Sequence, residues 1–214
     1  MARSTAQRIA DGLRDRIERG VLPPGTRLSE EALGRELEVS RNTLREAFRL
    51  LLHDNLVEHR LNRGVFVRVL DPDDVTDIYR MRAALESAGV RAAPQAAPKL
   101  REAVSAAVAE AEWAADEGDW SEVASADLRF HRALAALADS ARIDTAMDRL
   151  LAELRLAFHP MPSPRRFHQP FLVRNRALER LLARGESARA EAELARYLDD
   201  ACRLITGTMR EVHR

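Results

Sequence analysis

The chain contains 214 residues, of which 46% are hydrophobic and 32% are charged, a composition typical of a soluble globular protein with one or two domains. No apolar run approaches the roughly 18 residues that a membrane-spanning helix needs, and the charged N-terminal segment is unlike a signal peptide. The single cysteine, Cys202, excludes an intrachain disulfide, and we expect a cytoplasmic protein.

The net charge of zero conceals an asymmetry along the chain. Residues 1–70 carry 13 arginines against 10 acidic residues. Residues 71–214 carry 21 basic and 24 acidic residues. The excess of positive charge predicts that the N-terminal part binds an anionic partner.

The N-terminal segment predicts two helices separated by a turn. Residues 5–20 form the first helix, because apolar residues recur at every fourth position. Prolines and glycines at 20–25 end it. Ser29 is suited to cap a second helix, and residues 38–40 form a short connection to the next one.

The segment SRNTLREAFRLL, residues 40–51, predicts a third helix with two different faces. Ser40 is a suitable N-cap. The apolar face consists of Leu44, Ala47, Phe48 and Leu51, and the basic face of Arg41, Arg45 and Arg49. A solvated helix face would have the same spacing, so the neighbouring elements must decide between the two interpretations.

Two strand-like segments follow, at 56–60 and 65–70, joined by a turn at 61–64. The order helix, helix, turn, helix, hairpin is that of a winged helix-turn-helix, whose second helix enters the DNA major groove. Arginine and asparagine read guanine and adenine edges, and hydroxyl groups suit phosphates. The predicted contacts from the third helix are Ser40, Arg41, Asn42, Thr43 and Arg45.

From Asp71 onward the sequence predicts only helices, beginning with an N-cap, a proline and two acidic residues. The predicted helices run roughly over 73–93, 99–117, 121–138, 142–158, 168–184 and 187–211. The fold class is therefore mainly α, with a winged helix-turn-helix of three helices and a β-hairpin joined to an all-α bundle of about six helices. We expect the domains at 1–70 and 77–214, with 71–76 as a linker or the start of the first bundle helix.

The run from Gly20 to Leu70 resembles the winged helix-turn-helix of the GntR family of bacterial transcriptional regulators. The matching residues are Pro-Gly at 24–25, Arg35, Ser-Arg-x-x-x-Arg-Glu-Ala at 40–47 and Arg-Gly at 63–64. Leu44 departs from the proline that many members have there. The resemblance implies that Arg35 and Arg49 also face the operator, and that Arg63 and Gly64 let the wing approach DNA.

The C-terminal part resembles the FCD domain, the helical ligand-sensing domain of the FadR subfamily. The resemblance implies a homodimer on a palindromic operator. In many FCD domains an aspartate and three histidines hold a divalent metal such as zinc, which receives a small organic acid together with an arginine. Asp127 and His131 match two of these ligands, and Arg82 matches the arginine. Asn175 and Tyr197 stand where the family has the other two histidines.

We therefore expect weak or absent metal, because neutral asparagine and tyrosine are poor ligands. The expected effector pocket consists of Arg82, Asp127, His131, Asn175 and Tyr197. Two alternatives stay open, namely that Asp127 and His131 form an ordinary salt link and that Arg82 forms a surface salt bridge with Glu86. We interpret His159 and His168, which flank a proline-rich segment, as residues of a solvated loop.

The sequence thus predicts a DNA-binding transcriptional regulator, in the first instance a repressor, controlled by a small-molecule effector that could be an organic acid. One alternative is a ligand-insensitive DNA-binding protein whose helical domain only dimerises. A remote alternative is a metal-assisted hydrolase that uses Asp127 and His131. It is disfavoured because the sequence offers no Ser–His or Cys–His arrangement and too few metal ligands. We therefore do not expect an enzyme.

Overall fold

A computed structural model describes residues 4–159 and 163–212. It is mainly helical with one small antiparallel sheet, which confirms the predicted fold class. The described part of the chain forms two compact units, residues 4–70 with 152–159 and residues 71–151 with 163–212. Within these residues no helix is both long and apolar enough to cross a membrane.

The first unit combines three helices, one further helical segment and a three-stranded sheet. Its elements up to residue 70 are α1 (Thr5–Glu18), β1 (Arg27–Leu28), α2 (Glu30–Glu36), α3 (Arg41–His53), β2 (Val57–Arg60) and β3 (Gly64–Val67). The strand order is β1-β3-β2. The sequence did not predict β1, because two residues are too few to show an alternating pattern. The strand pairs Arg27 with Phe66 and Leu28 with Val65.

Serine caps fix where the helices of this unit begin. Ser29 accepts the backbone N–H of Ala32, and Ser40 accepts that of Thr43. Helix α3 buries its apolar face as predicted, through Leu44, Ala47, Phe48 and Leu51. The opposite face, with its arginines, is thereby directed to solvent.

Residues 152–159 extend the first unit beyond the predicted range 1–70. The buried carboxylate of Glu153 accepts hydrogen bonds from Arg68 Nη1 at 2.5 Å and from Asn55 Nδ2 at 3.3 Å. Arg155 Nε donates to the backbone oxygen of Glu18 at 3.0 Å. These bonds explain why the segment groups with the helix-turn-helix.

The second unit is helical. Its elements are α4 (Pro72–Ala92), a short 3₁₀ turn (Ala93–Gln95), α5 (Pro98–Asp116), α6 (Trp120–Ala136), the first part of α7 (Ala141–Phe158), α8 (Pro164–Ala183) and α9 (Ser187–Val212). Asp71 and Asp74 form a capping box with Pro72 at the first helical position, so residues 72–76 are the first turn of α4.

Helices α4 and α6 cross at very short range. A Cβ atom added at Gly89 of α4 would lie 1.9 Å from the backbone oxygen of Leu134 in α6. Only glycine permits this approach without a shift of the backbone. The crossing holds the polar residues Arg82 and Glu86 of α4 close to Asp127 and His131 of α6.

Helix α8 begins earlier than the sequence predicted. Ser163 caps it and Pro164 occupies its first position, so the proline that suggested a loop in fact starts a helix. The loop interpretation of His168 is therefore wrong, because His168 lies inside α8 and is 3% exposed. Residues 160–162 of the proline-rich segment lie outside the described residues. His159, just after α7, is half-buried, and its Nε2 lies 3.2 Å from the backbone oxygen of Ile17.

Candidate functional site

An open cleft of about 600 Å³ lies on the first unit between the start of α2, the outer face of α3 and the wing. The wing is the hairpin that β2 and β3 form. Its polar lining consists of Arg27, Ser29, Glu30, Glu31, Arg41, Arg45, Arg49 and His59. Leu52, Gly64 and Val65 contribute further surface. Four arginines against two glutamates give the cleft a positive balance, which suits an anionic partner.

The cleft brings together four of the nine residues predicted to contact DNA, namely Arg41, Arg45, Arg49 and Gly64. Arg45 and Arg49 expose 64% and 71% of their side chains. The other five are not among the described residues that line the cleft. They lie on α2, at the cap or in the first turn of α3, or in the hairpin turn: Arg35, Ser40, Asn42, Thr43 and Arg63.

The first turn of α3 presents a mixture of free and engaged polar groups. Arg41 and Asn42 are exposed. Ser40 Oγ accepts the Thr43 backbone N–H at 3.1 Å and lies 2.9 Å from Thr43 Oγ1. The two hydroxyl groups are therefore already hydrogen-bonded, while the exposed arginine and asparagine side chains are available to a partner.

The cleft also contains Arg27 and His59, which the sequence did not indicate as DNA-contacting residues. Arg27 lies on β1, and a Cβ atom at Gly64 would be 3.7 Å from its Nε. Gly64 has a positive φ of +102°, a conformation that favours glycine. Arg27 is exposed on β1 and Leu28 is buried, but a two-residue strand gives no sequence pattern that could have shown this.

Each of three predicted DNA-contacting arginines forms an ion pair with a glutamate. Arg45 Nε donates to Glu30 at 3.0 Å, and Arg35 Nη2 donates to Glu31 at 3.2 Å. Arg49 pairs with Glu46. The pairs of Arg35 and Arg49 each lie within one helix and contribute little stability, so a phosphate can replace Glu31 or Glu46.

The second unit contains a buried polar cluster contributed by α4, α6, α8 and α9. The polar cluster consists of Arg82, Glu86, Asp127, His131, His168, Asn175 and Tyr197, each at most 7% exposed. All five residues of the predicted effector pocket belong to it. The polar cluster also contains Glu86 and His168, which were not part of the predicted pocket.

Glu86 occupies one side of the polar cluster. Its carboxylate accepts from Arg82 Nε at 2.9 Å, and its other oxygen lies 2.6 Å from His131 Nδ1. The Arg82 guanidinium lies 4.6 Å from the ring centre of Tyr79. Burial alone would lower the pKa of Arg82, but the charge of Glu86 raises it above its ordinary value. The predicted Arg82–Glu86 pair therefore exists, but it is buried rather than on the surface.

Asp127 occupies the side of the polar cluster opposite Glu86. Its Oδ1 accepts from Asn175 Nδ2 at 2.8 Å and from Tyr197 OH at 3.1 Å. His168 Nδ1 lies 3.6 Å from Oδ2, and His131 Nε2 lies 3.9 Å from Oδ1. Burial alone would raise the pKa of Asp127, but His168, His131 and Asn175 hold it below its ordinary value. Burial and the nearby Asp127 raise the pKa of Tyr197, which keeps it a neutral donor.

Two polar atoms of the cluster, Arg82 Nη2 and Asn175 Oδ1, are buried without a hydrogen-bond partner among the described residues. Buried polar groups are nearly always hydrogen-bonded. One unmatched donor and one unmatched acceptor therefore suit a small polar ligand that carries both functions.

The metal implied by the family resemblance fits this donor set poorly. Asn175 and Tyr197 both donate to Asp127 Oδ1 and so occupy lone pairs that a metal would use. His131 has only Nε2 left, since Nδ1 faces Glu86. Among the described residues no group of three or more His, Cys, Asp or Glu side chains is arranged to hold a metal ion.

A winged helix-turn-helix with an arginine-lined cleft, followed by a helical unit with a buried polar cluster, defines a DNA-binding regulator with a separate ligand-binding unit. Residues 5–67 match the family described as bacterial regulatory proteins, gntR family, and residues 77–200 match the FCD domain. The chain belongs to the GntR family of transcriptional regulators and carries an FCD domain, the effector-binding domain of the FadR subfamily. The family and the relatives that match this chain are transcriptional regulators rather than enzymes.

Several relatives align over most of the chain. A solved structure of a putative GntR transcriptional regulator from Rhodococcus sp. RHA1 is 44% identical, with a TM-score of 0.87 and coverage of 96% of this chain and 99% of that one. The Nta operon transcriptional regulator of Aminobacter aminovorans is 28% identical, with coverage of 89% and 91%. The probable D-xylose utilization operon transcriptional repressor of Paenarthrobacter nicotinovorans is 31% identical, with coverage of 71% and 67%.

Proposed function

We propose that the chain binds a palindromic operator as a homodimer and represses transcription until a small polar effector enters the polar cluster. The observation that carries the DNA-binding half is the arginine-lined cleft on the outer face of α3. Two such clefts related by a two-fold axis would read half-sites about one helical turn apart. Because the target is chromosomal DNA, we place the protein in the cytoplasm.

In this proposal the first turns of α3 read base edges. Arg41 and Arg45 each offer two parallel N–H groups to guanine O6 and N7, and Asn42 can pair in the same way with adenine. Arg35 and Arg49 contact phosphates at the rims, together with the Ser40 and Thr43 hydroxyls. Gly64 in the wing allows close approach to the DNA backbone, and Arg63 in the wing and Arg27 on the adjacent strand β1 supply positive charge.

The test of this role is a selection of bound duplexes from a random pool, followed by titration of the selected operator. Arg45→Ala should weaken operator binding by about 1–3 kcal/mol and relax one base pair in each half-site. Arg19→Ala is the matched control, since Arg19 is 71% exposed on the same unit but does not line the cleft. Equal weakening on operator and scrambled DNA would contradict a base-reading role for Arg45.

The effector half of the proposal rests on the two unmatched atoms of the polar cluster. Arg82 Nη2 would donate to an acceptor on the effector, such as a carboxylate or amide oxygen. Asn175 Oδ1 would accept from a hydroxyl or amide N–H group. Asp127 and His131 hold at most weakly bound metal, so the effector would be recognised mainly by hydrogen bonds and packing.

The names of some relatives support a small polar metabolite as the effector. One relative is named for a D-xylose utilization operon and another, from Bacillus subtilis, for the gluconate operon. Both names also include the word repressor. Small sugars and sugar acids carry the hydroxyl and oxygen functions that the polar cluster leaves unmatched.

A panel of small carboxylic acids, their amides and sugars can test the effector site by melting temperature and by release of operator DNA. Arg82→Lys keeps the charge but removes donors, so it should reduce the response to an active compound. Arg80→Lys is the matched control, because Arg80 is exposed on the same helix. If no compound changes either readout, the ligand-insensitive alternative gains support.

A further inference from the structure

Arg45 is held by a glutamate from a different helix. Its Nε donates to Glu30 Oε1 at 3.0 Å, and Glu30 is the first residue of α2. Among the described residues Glu30 is the one hydrogen-bond partner of Arg45. The bond therefore joins the fifth residue of α3 to the start of the preceding helix.

The other two ion pairs differ in geometry. Arg35 pairs with Glu31 four residues earlier, and Arg49 pairs with Glu46 three residues earlier, each within one helix. Both use a terminal guanidinium nitrogen. Pairs at this spacing are common on exposed helix faces and are weak. Neither pair therefore connects its arginine side chain to a residue of another helix.

The Arg45 pair uses Nε, which leaves both terminal nitrogens at the outer end of the side chain. A bidentate contact with guanine requires two parallel N–H groups directed at O6 and N7. The two terminal nitrogens of Arg45 provide this pair while Nε stays bonded to Glu30. Glu30 can therefore remain bonded to Arg45 while Arg45 contacts a base.

Glu30 itself is well fixed. It follows the cap Ser29, which accepts the Ala32 backbone N–H, and Leu28 in β1 pairs with Val65 of the wing. The Glu30 side chain is 33% exposed, against 64% for Arg45. Glu30, which is less exposed and better anchored, therefore sets the orientation of the Arg45 side chain.

We propose that Glu30 is a positioning residue that gives Arg45 its base specificity and opposes binding to DNA without the correct base. The carboxylate orients the guanidinium, and its negative charge in the cleft repels phosphates wherever Arg45 finds no guanine. This inference rests on the base-reading role proposed above for Arg45. Glu30 thus affects base recognition through the Arg45 side chain without contacting a base itself.

The experiment compares the full-length protein with Glu30→Gln, Arg45→Ala and the double variant, by selection from a random duplex pool and by titration of a scrambled duplex. Glu30→Gln should lose about tenfold of the preference at the base pair that Arg45→Ala also relaxes. It should at the same time bind the scrambled duplex several-fold more tightly. In the double variant Glu30→Gln should add no further loss of preference.

Glu31→Gln is the matched control, since it removes the same charge from the next residue, whose partner is Arg35. It should tighten binding to the scrambled duplex and leave base preference unchanged. Melting curves establish that all variants are folded, which is expected because these side chains lie at the surface.

If Glu30→Gln keeps its base preference while Arg45→Ala clearly loses it, the positioning role of Glu30 is overturned. The base-reading role of Arg45 then still stands. A loss at a different base pair from that of Arg45→Ala would overturn it too, because Glu30 would then read a base itself. If Arg45→Ala leaves base preference intact, the base-reading role of Arg45 fails and the Glu30 inference fails with it.

Discussion

Asp127 shows how a buried carboxylate can be satisfied by neighbouring donors. Two neutral donors, Asn175 and Tyr197, share one of its oxygens, and His168 faces the other. An ionised carboxylate buried without such partners would cost several kcal/mol. In many FCD domains a metal ion supplies the positive charge at this aspartate, and here protein donors surround it. The donor set predicts both the pH dependence and the metal content of the protein.

We expect Asp127 to stabilise the second unit at neutral pH but not in strong acid. Its native pKa lies below the value of about 3.9 typical of an unfolded chain. The contribution is therefore present above about pH 4 and is lost as the pH falls through the native pKa. Asp127→Asn, which keeps the shape, should cost about 2 kcal/mol at pH 7.

Urea unfolding of wild type and Asp127→Asn from pH 7 to pH 3 measures this difference. The gap between the two proteins should narrow below about pH 4. Burial alone would raise the pKa of Glu86, but the neighbouring His131 and Arg82 lower it. Because Glu86 is present in both proteins, its effect on stability cancels in the difference between them. A gap that stays constant down to pH 3 would mean that the pKa of Asp127 is the same in the native and unfolded states, which would contradict the lowered native pKa.

The donors around Asp127 also predict a low metal content. Protein purified without chelator or affinity-tag metal should contain far less than one equivalent of divalent metal per chain, because Asp127 is occupied by protein donors. Elemental analysis of wild type, Asp127→Asn and His168→Gln measures this. Near-stoichiometric metal in wild type that disappears in both variants would show that His168 replaces a missing ligand, and carboxylate effectors would become the first compounds to test.

The composition of this cluster could be predicted from the sequence only in part. Asp127 and His131 are four residues apart on one helix, which places them on one face, and the family resemblance implied Arg82, Asn175 and Tyr197. His168 could not be found in that way, because its burial depends on where α8 begins. Glu86 was considered only as a surface partner, since spacing alone does not reveal burial.

The crossing of α4 and α6 decides the geometry of the second unit. The two helices approach so closely at Gly89 that a side chain would overlap the backbone of Leu134. The same two helices carry four of the seven residues of the polar cluster. A change in this crossing would therefore change the distances within the effector site.

Gly89→Ala should destabilise the protein by about 3 kcal/mol or more, because the new methyl group meets backbone atoms that cannot move independently. Gly207→Ala is the control within the same unit, since Gly207 lies inside α9 and has no heavy atom within 4 Å of an added Cβ. That variant should be neutral or up to about 1 kcal/mol more stable. Urea unfolding at equal protein concentration tests both, and equal stability of the two variants would contradict the close crossing.

The sequence predicted the regular elements better than the short or proline-flanked ones. The helices α3 and α6 have long apolar periodicity, and both were placed within two or three residues. Strand β1 has two residues and forms only because β3 is available to pair with it. The start of α8 was misplaced because a proline at the first helical position resembles a loop signal until the Ser163 cap is seen.

The distribution of charge along the chain, rather than its net charge, must drive DNA binding. The chain has no net charge at pH 7, so long-range attraction to DNA is weak. Residues 1–70 nevertheless carry an excess of positive charge, and the arginines of the cleft concentrate it on one surface. Local arginine–phosphate contacts, each releasing a condensed counterion, therefore supply most of the affinity.

Operator binding should consequently fall steeply with salt in spite of the neutral chain. If a dimer neutralises about six phosphates, the logarithm of the binding constant should fall with the logarithm of salt concentration with a slope of about −5. Arg27→Ala, which removes one cleft arginine per protomer, should reduce the magnitude of the slope by about 1 to 2, because two phosphate contacts are lost per dimer. Arg19→Ala, outside the cleft, should leave it unchanged. Titrations of labelled operator at a series of NaCl concentrations measure both slopes, and an equal slope for wild type and Arg27→Ala would exclude Arg27 from the phosphate contacts.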